Sequence, residues 1–306
     1  MSVQSPAAVV VIRPHAFQVN PETAADNAFQ RTPGADDAGT AARALEEVTR
    51  VVETLRGRGV TVHVFEDEST DTPDSVFPNN WFSTHAGGHI AIYPMYAPNR
   101  RRERRSDVVE FLKRRYRVQT VLDYSGLEPD GVFLEGTGAM VLDHMMRVAY
   151  VARSRRADPI ALERFCTDFQ FEPLVFNTTG PAAEPIYHTN VMMSIASSFA
   201  LVGLDLIVDP LRRAEVGSRL RASGREVIAL TPAQIAEFAG NALELDTPGG
   251  PILAISQRAA DSLDATQVAA IEGHSRIVPL DIPTIEDAGG SVRCMLAGIH
   301  LERRPE

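Results

Sequence analysis

The chain has 306 residues, a length that suits one large α/β domain or two domains of ordinary size. Hydrophobic residues make up 44% and charged residues 23%, normal values for a globular protein that buries a core. Lys and Arg number 30 against 40 Asp and Glu, and the net charge of −10 argues against a nucleic-acid-binding protein.

No apolar run approaches the roughly 18 residues of a membrane span, and the first residues lack the basic start of a signal peptide. The two cysteines, Cys166 and Cys294, lie far apart, which fits a reducing compartment better than a disulfide framework. We expect a cytoplasmic protein with a small-molecule substrate and with neither nucleic acid nor membrane as partner. A homo-oligomer is left open.

Short strand-like runs alternate with helical patterns along the chain. An apolar run at 7–12 predicts a first strand, and apolar residues on one stripe predict a helix over 41–56. Further strands are predicted at 60–65, 89–94, 117–122, 131–143, 147–152, 171–176, 199–207, 226–230, 251–256 and 276–280, with glycines breaking 131–143 into a hairpin. Further helices are predicted at 106–116, 159–167, 211–223, 231–239 and 264–272.

No linker rich in Pro, Gly or Ser interrupts this pattern, which recurs roughly every 50–65 residues. We therefore predict one continuous α/β domain over residues 1–306. A doubly wound parallel sheet is the ordinary alternative. The chain has neither GxGxxG after a strand nor GxxxxGK[ST], so nothing supports a nucleotide site, and no cofactor is expected.

Four segments place polar residues where strand and turn patterning does not require them. They are DSVFPNNWFSTHAGG with Asn79 and Asn80, FLEGTGAM with Glu135, PIYHTNVMMSIA with His188 and Asn190, and GGSVRCMLAG with Cys294. Each has a structural explanation: a tight turn, an outward-facing strand residue, a core histidine and a buried core cysteine. If 185–196 is a strand, His188 and Asn190 share one face.

These residue types also make a covalent catalyst. A cysteine near neutral pH needs a base or a positive field to become a thiolate, which His188 can supply. Glu135 can serve as a second acid–base group or hold the substrate, so Cys294, His188 and Glu135 form a plausible nucleophilic set. A metal site is a weaker alternative: His85 and His89 have HxxxH spacing, but the glycines between them disfavour a helix, and a third ligand is not evident.

The order DSVF-PNN, EGTG, YHTN and GGSVRC resembles the guanidino-group-modifying superfamily, which has the pentein fold. The resemblance extends from RPHAF at 13–17 to Cys294 and implies a five-bladed ββαβ propeller around a central site. By position it makes Cys294 the nucleophile, His188 the general acid–base and Glu135 the carboxylate that binds the terminal group of the substrate. It further implies that Arg156, with Arg100 or Arg101, grips the α-carboxylate. No metal is expected, since no third ligand is evident.

Two departures from the family pattern bear on the substrate. The counterpart of Asn80 is typically an aspartate in deiminases and dimethylargininases, and so is the counterpart of Asn190 in deiminases. These aspartates pair with a cationic guanidinium. An amide donates to an oxygen and accepts from an N–H, so two Asn suit a neutral ureido group. FPNNWFSTH is most similar to the branch related to citrulline utilisation, which implies hydrolysis of citrulline to ornithine, ammonia and carbon dioxide. Asn79 is a further candidate for substrate binding.

Other functions remain open at this point. The resemblance also covers arginine deiminases and dihydrolases, dimethylargininases and amidinotransferases, and a catalytically silent binding module would keep the same fold. Residues 13–30, rich in Asn, Gln and Pro, are a candidate loop over the site, with Asn27 or Gln30 near the amino-acid end of the substrate. Cys166 lies in a helical pattern and is expected in the core.

Overall fold

Five small sheets organise the chain in the computed structural model, which describes residues 3–31, 39–180 and 183–305. Each sheet has three strands: an antiparallel pair, and a third strand parallel to the middle one. The strands are β1 Ala8–Pro14, β2 Thr61–Asp67, β3 Phe82–His85, β4 His89–Ile92, β5 Thr120–Asp123, β6 Met140–Asp143, β7 Val148–Ala152, β8 Glu172–Phe176, β9 Met193–Ile195, β10 Phe199–Val202, β11 Glu226–Ala229, β12 Leu243–Leu245, β13 Ile252–Ser256, β14 Arg276–Leu280 and β15 Ala297–Gly298.

A helix makes the crossover to the third strand of each sheet, because parallel neighbours cannot be joined by a tight turn. The helices are α1 Thr40–Gly57, α2 Ser106–Arg115, α3 Gly136–Ala139, α4 Pro159–Phe169, α5 Pro210–Ala222, α6 Pro232–Ala236, α7 Gln257–Asp261, α8 Ala265–Glu272, α9 Pro283–Glu286 and α10 Val292–Met295. The predicted α/β architecture of five ββαβ units is confirmed.

The first sheet joins the two ends of the chain. The last strand, β15, runs antiparallel to β1, and β1 runs parallel to β2, so the sheet order is β15-β1-β2. The other four sheets follow in chain order as β3-β4-β5, β6-β7-β8, β9-β10-β11 and β12-β13-β14. The first strand of each unit is an inner strand: β15 contacts β3, and β9 contacts both β6 and β12.

Apolar faces between neighbouring units form the core. Helix α1 buries Val48, Val51, Val52 and Leu55 and packs against β1, β2 and α9, as its periodicity predicted. Burying side chains of this size stabilises the fold by about 1.5–3 kcal/mol each. No helix among residues 3–31, 39–180 and 183–305 combines the length and the apolar character of a membrane span.

Two sequence predictions about local structure are wrong. Residues 131–139 do not form a hairpin strand: Gly136–Ala139 is the short helix α3, and β6 begins only at Met140. The segment Thr189–Val191 is a 3-10 helix instead of a strand, so His188 and Asn190 are not related by strand alternation. In both places contacts with distant parts of the chain, described below, decide the local conformation.

A buried ion pair joins two of the sheets and generates a stability prediction. The Arg225 guanidinium, at the start of β11, donates to both carboxylate oxygens of Asp143 at the end of β6, at 2.6 and 3.2 Å, and both side chains are buried. Arg225→Met should lower the free energy of unfolding by about 3–5 kcal/mol, because Asp143 is left as an unpaired buried charge. Urea unfolding measures the change.

The matched control is Arg219→Met, since Arg219 pairs with Glu172 on the exposed surface. Its loss should cost no more than about 1 kcal/mol. Adding Asp143→Asn to Arg225→Met should restore part of the stability, because it removes the unpaired charge and keeps an acceptor for the amides of Met145 and Met146. Equal losses for Arg225→Met and Arg219→Met would contradict this account.

Candidate active site

Cys294 lies in the short helix α10, directly before the inner strand β15, and it is 2% exposed. Its Sγ is approached by two amide donors, Asn190 Nδ2 at 3.3 Å and Asn241 Nδ2 at 3.4 Å. The glycine pair before it is explained by space. Gly289 has φ of +82° and a Cβ there would lie 2.4 Å from Asn27 Nδ2, while a Cβ on Gly290 would lie 2.9 Å from the Phe77 ring.

His188 and Glu135 are hydrogen-bonded to each other beside the same cavity. His188 Nε2 lies 2.8 Å from Glu135 Oε2, and both residues are buried. Since the carboxylate only accepts, we assign the imidazole proton to Nε2. His188 Nδ1 then carries a lone pair, which makes no hydrogen bond within the described part of the chain and is available to a substrate or a thiol.

Glu135 accepts hydrogen bonds from several parts of the chain. Its Oε1 accepts from the Tyr96 amide at 3.0 Å, and its Oε2 also receives Arg156 Nη1 at 3.4 Å and Arg100 Nη1 at 3.5 Å. Burial alone would raise the pKa of Glu135. Arg156, the hydrogen bond from His188 and Arg100 together outweigh burial, so the pKa lies well below its usual range and the carboxylate is ionised.

At His188, burial is the largest influence on the pKa, and it favours the uncharged imidazole. Removal from water lowers the pKa of His188 to about 4, although the hydrogen bond and charge of Glu135 act to raise it, while Arg156 and Arg100 lower it further. At neutral pH the imidazole is therefore uncharged. A neutral His188 can take a proton from Cys294 and return it later.

Glycines in α3 let these groups approach. A Cβ on Gly138 would lie 2.2 Å from Asn80 Nδ2 and 2.8 Å from His188 Nδ1. Gly136 has φ of +47°, and a Cβ there would lie 2.5 Å from the Asn79 carbonyl oxygen. The EGTG sequence therefore forms a turn against the FPNN and YHTN segments instead of a strand.

The two buried arginines differ from Arg101. Arg156 donates to both oxygens of Asp26 at 3.1 and 2.6 Å, and its guanidinium lies 4.9 Å from the centre of the Tyr187 ring. Arg100 donates to Asn80 Oδ1 at 3.0 Å and to the Glu103 carboxylate. Arg101 instead donates to the carbonyls of Met95 and Tyr96 and does not line the cavity described below. Arg100 and Arg101 were the two candidates for a second contact with the α-carboxylate of the substrate. Of these, the structure brings Arg100 to the site.

Several amide atoms at the site are buried without a partner. Asn80 Nδ2 and Asn190 Oδ1 make no hydrogen bond within the described residues, and the same holds for both side-chain polar atoms of Asn79. Asn80 lines the cavity with Cys294 and His188, whereas Asn79 and Asn190 do not line it; Asn190 instead contacts the Cys294 thiol directly. Buried polar groups are normally paired, so the unpaired atoms of Asn80 and Asn190 mark places for a ligand.

Residues 20–31 cover one side of the cavity beside Cys294. Its volume of about 10 Å³ holds roughly one water molecule, and Thr23 and Asn27 form part of its wall. Gln30 bonds the Asn20 carbonyl instead of facing the cavity. A larger cavity of about 420 Å³ lies on the other side of this segment and shares Tyr187 with the inner one. Asp26, which pairs with Arg156, belongs to this segment.

Sequence reasoning missed three residues of the site. Asn241 donates to Cys294 Sγ and to the Asn190 carbonyl, and its Oδ1 accepts from the Arg293 amide at 3.0 Å. Asp74 lines the cavity and bonds Asn20, but its Oδ1 has no partner within the described residues. Asp26 holds Arg156. The position of Asn241 in the sequence could have indicated its role, because it stands two residues before an inner strand, as Asn80 does.

No group of three or more His, Cys, Asp or Glu side chains in the described ranges is arranged to hold a metal ion. His85 and His89 face each other as a pair across the β3–β4 hairpin instead of on a helix. Cys166 is buried in α4, and burial raises the pKa of its thiol to about 12. These residues have structural surroundings and lie outside the cavity wall.

Comparison with protein families decides the classification. The family model described as "N,N dimethylarginine dimethylhydrolase, eukaryotic" matches residues 13–301. The chain belongs to this family. It is thereby a member of the pentein superfamily of guanidino-modifying enzymes, which act on C–N bonds, and the resemblance inferred from its motifs is confirmed. No curated protein matches the chain by sequence.

Solved structures share the fold over nearly the whole chain. The N-terminal domain of ArgZ, an arginine dihydrolase from cyanobacteria, in a cysteine-to-serine variant bound to substrate, is 15% identical, with a TM-score of 0.75 over 96% of this chain and 98% of that one. An AgrE variant with L-arginine is 16% identical, with a TM-score of 0.76 over 98% of this chain and 41% of the longer AgrE chain. A DDAH variant from Pseudomonas aeruginosa complexed with citrulline is 13% identical, with a TM-score of 0.65 over 98% and 100%.

The surroundings of His188 predict an unusual titration. We expect NMR of ring-labelled protein, assigned with His188→Gln, to place its pKa near 4 instead of the usual 6.5. Because the unfolded chain takes up this proton near pH 6.5 and the folded chain only near pH 4, the contribution to stability is present above pH 6.5. It is lost as the pH falls from about 6.5 to 4. A midpoint at or above 6.5 would contradict the assignment of a neutral imidazole.

Proposed function

We propose that this protein hydrolyses the ureido group of citrulline, giving ornithine, ammonia and carbon dioxide, through a covalent intermediate on Cys294. The observation that carries the proposal is the nature of the free groups around the thiol. They are amides: Asn80 offers an unpaired N–H donor and Asn190 an unpaired oxygen. A ureido group, with one carbonyl oxygen and N–H donors on either side, complements this pair without a change of charge.

The state of Glu135 supports a neutral substrate head. Arg100, Arg156 and His188 already share its Oε2, and the positive charges of the two arginines offset its negative charge. A guanidinium needs a carboxylate with free acceptor capacity and uncompensated charge. Glu135 is instead placed to hold His188 in one tautomer, with Nδ1 turned away from the carboxylate.

The chemistry follows from these positions. His188 Nδ1 accepts the Cys294 proton, and the thiolate attacks the ureido carbon, forming a C–S bond. Donors such as Asn80 Nδ2 stabilise the oxyanion of the tetrahedral intermediate. Its collapse breaks a C–N bond while His188 gives the proton to the leaving nitrogen. Water, losing a proton to His188, then breaks the C–S bond and restores the thiol. Whichever nitrogen leaves first, the remaining carbamate decomposes, and the products are ornithine, ammonia and carbon dioxide.

The amino-acid end of the substrate has matching charges in the same cavity. Arg156 is a bidentate donor whose present partner is Asp26, a residue of the covering segment. We infer that the α-carboxylate replaces Asp26 on Arg156, assisted by Arg100. Asp74 lines the cavity with one unpaired oxygen, a suitable acceptor for the α-ammonium.

Arginine is the second candidate substrate. The same unpaired oxygen of Asp74 favours it, because this buried carboxylate retains acceptor capacity for a cation. The relatives of known structure point the same way, since ArgZ is an arginine dihydrolase and an AgrE variant was solved with L-arginine. In this case the chain would release ammonia from the guanidinium before or instead of cleaving a ureido group.

Steady-state assays with each substrate separate the two. Purified protein should form ornithine and ammonia from L-citrulline, and Cys294→Ser should form neither while keeping its thermal unfolding temperature. L-Arginine in a parallel assay should be a poor substrate. Turnover of arginine with kcat/KM above that of citrulline would establish the second candidate instead, and binding of citrulline without any turnover would support a silent binding protein.

A substitution at Asn80 tests, in the same assay, whether the free amides select a neutral substrate. Asn80→Asp should lower kcat/KM for citrulline by about 100-fold or more, because an oxyanion-stabilising donor is replaced by a negative charge. It should raise the relative turnover of arginine, since a carboxylate pairs with a guanidinium. Asn177→Asp, the same change at an exposed position, should alter neither. Unchanged substrate preference in Asn80→Asp would refute the argument from charge.

A further inference from the structure

Behind the candidate active site, the inner strands enclose a second space, which we call the shaft. It contains two small cavities of about 20 and 30 Å³. Their walls take one or more residues from every inner strand, namely Phe82, Val141, Met193, Leu243 and Ala297. The shaft therefore runs along the axis of the fold, with Cys294 in the short helix at one end of it.

Arg293 is shared by the walls of both cavities. It precedes Cys294 in α10, and its Nη1 donates to the Leu296 carbonyl at 3.0 Å. A guanidinium has five N–H donors, and this is the single hydrogen bond that its side chain makes within the described residues. Most of its donors therefore face the two cavities.

No acid compensates this charge within the described part of the chain. Neither cavity wall contains Asp or Glu, and Arg293 takes part in no ion pair there. Burial lowers the pKa of Arg293 to about 10, opposed by Cys294, which still leaves the guanidinium charged at neutral pH. Arg293 is part-buried, and a cation withdrawn from bulk water without a counter-charge is costly, so proteins normally pair it with an acid or an ion.

Other donors line the same cavities. His144 and His300 contribute to both walls and stack with their ring centres 4.0 Å apart, and the Ser194 hydroxyl lies in the wall of the larger cavity. The end of the shaft near His144 is closed by Gln4, whose amide donates to the Leu142 and Ile195 carbonyls at 3.0 Å. The space within the shaft is thus polar, positively charged and small.

We propose that the shaft binds a monatomic anion of the halide class, with Arg293 as its principal ligand. A cavity needs about 10–15 Å³ to hold a water-sized guest, so these cavities admit a monatomic ion but exclude an amino acid or a nucleotide. The bound anion supplies the missing counter-charge and fixes Arg293, and with it the helix that carries Cys294. The site is separate from the proposed substrate cavity and does not depend on the reaction assigned there.

Thermal unfolding of the full chain tests the site. Chloride is titrated while gluconate keeps the ionic strength constant, and bromide replaces chloride in a second series. Saturating chloride or bromide should raise the Tm by about 2–4 °C. Arg293→Met should lose this response. Arg147→Met is the matched control, because Arg147 lies over the Phe171 ring and outside both cavity walls, and it should keep the response.

A second measurement needs no variant, in case Arg293→Met fails to fold. Crystals of the wild-type protein grown with bromide should show an anomalous peak within hydrogen-bond distance of the Arg293 guanidinium. Equal Tm values in chloride and gluconate would overturn the proposal. So would a chloride response that persists in Arg293→Met, or bromide-grown crystals whose shaft holds water without an anomalous peak.

Discussion

The buried carboxylate of Glu135 organises the candidate active site. It receives Arg100, Arg156 and His188 at one oxygen and the Tyr96 amide at the other. Because these partners come from three separate parts of the chain, the site can exist only when the surrounding units are packed together. The same contacts keep Glu135 ionised and leave His188 with a free Nδ1, so one ion cluster determines both the shape and the protonation of the site.

The same local arrangement occurs in each of the five units of the fold, at the end where the candidate site lies. A short helical or irregular segment precedes each inner strand: Pro78–Asn80 before β3, α3 before β6, Thr189–Val191 before β9, Asn241 before β12 and α10 before β15. Asn80, Asn190 and Asn241, the amides around the thiol, come from these segments. Since the inner strands lie side by side around the shaft, residues distant in sequence meet at one end of it, and loop substitutions there can change the substrate without changing the core.

Apolar periodicity was sufficient for most of the architecture, because helix α1 and strands such as β14 bury one regular face. It failed where packing over long sequence distances decides the conformation, as in α3, whose glycines fit against Asn79, Asn80 and His188. The sequence motifs identified Cys294, His188 and Glu135 as candidate site residues, and the structure places them around one site. Asp26 could not be predicted, since its partner Arg156 lies 130 residues away and nothing local marks the contact.

The most direct test of the account is to trap the intermediate. Protein mixed with L-citrulline, quenched in acid and digested should show a carbamoyl-type adduct on the peptide that contains Cys294 by mass spectrometry. Asn80→Asp should accumulate less of it, and Cys294→Ser none. An adduct formed from arginine but not from citrulline would contradict the assignment of a ureido substrate. Turnover without any adduct on Cys294 would contradict covalent catalysis by this thiol.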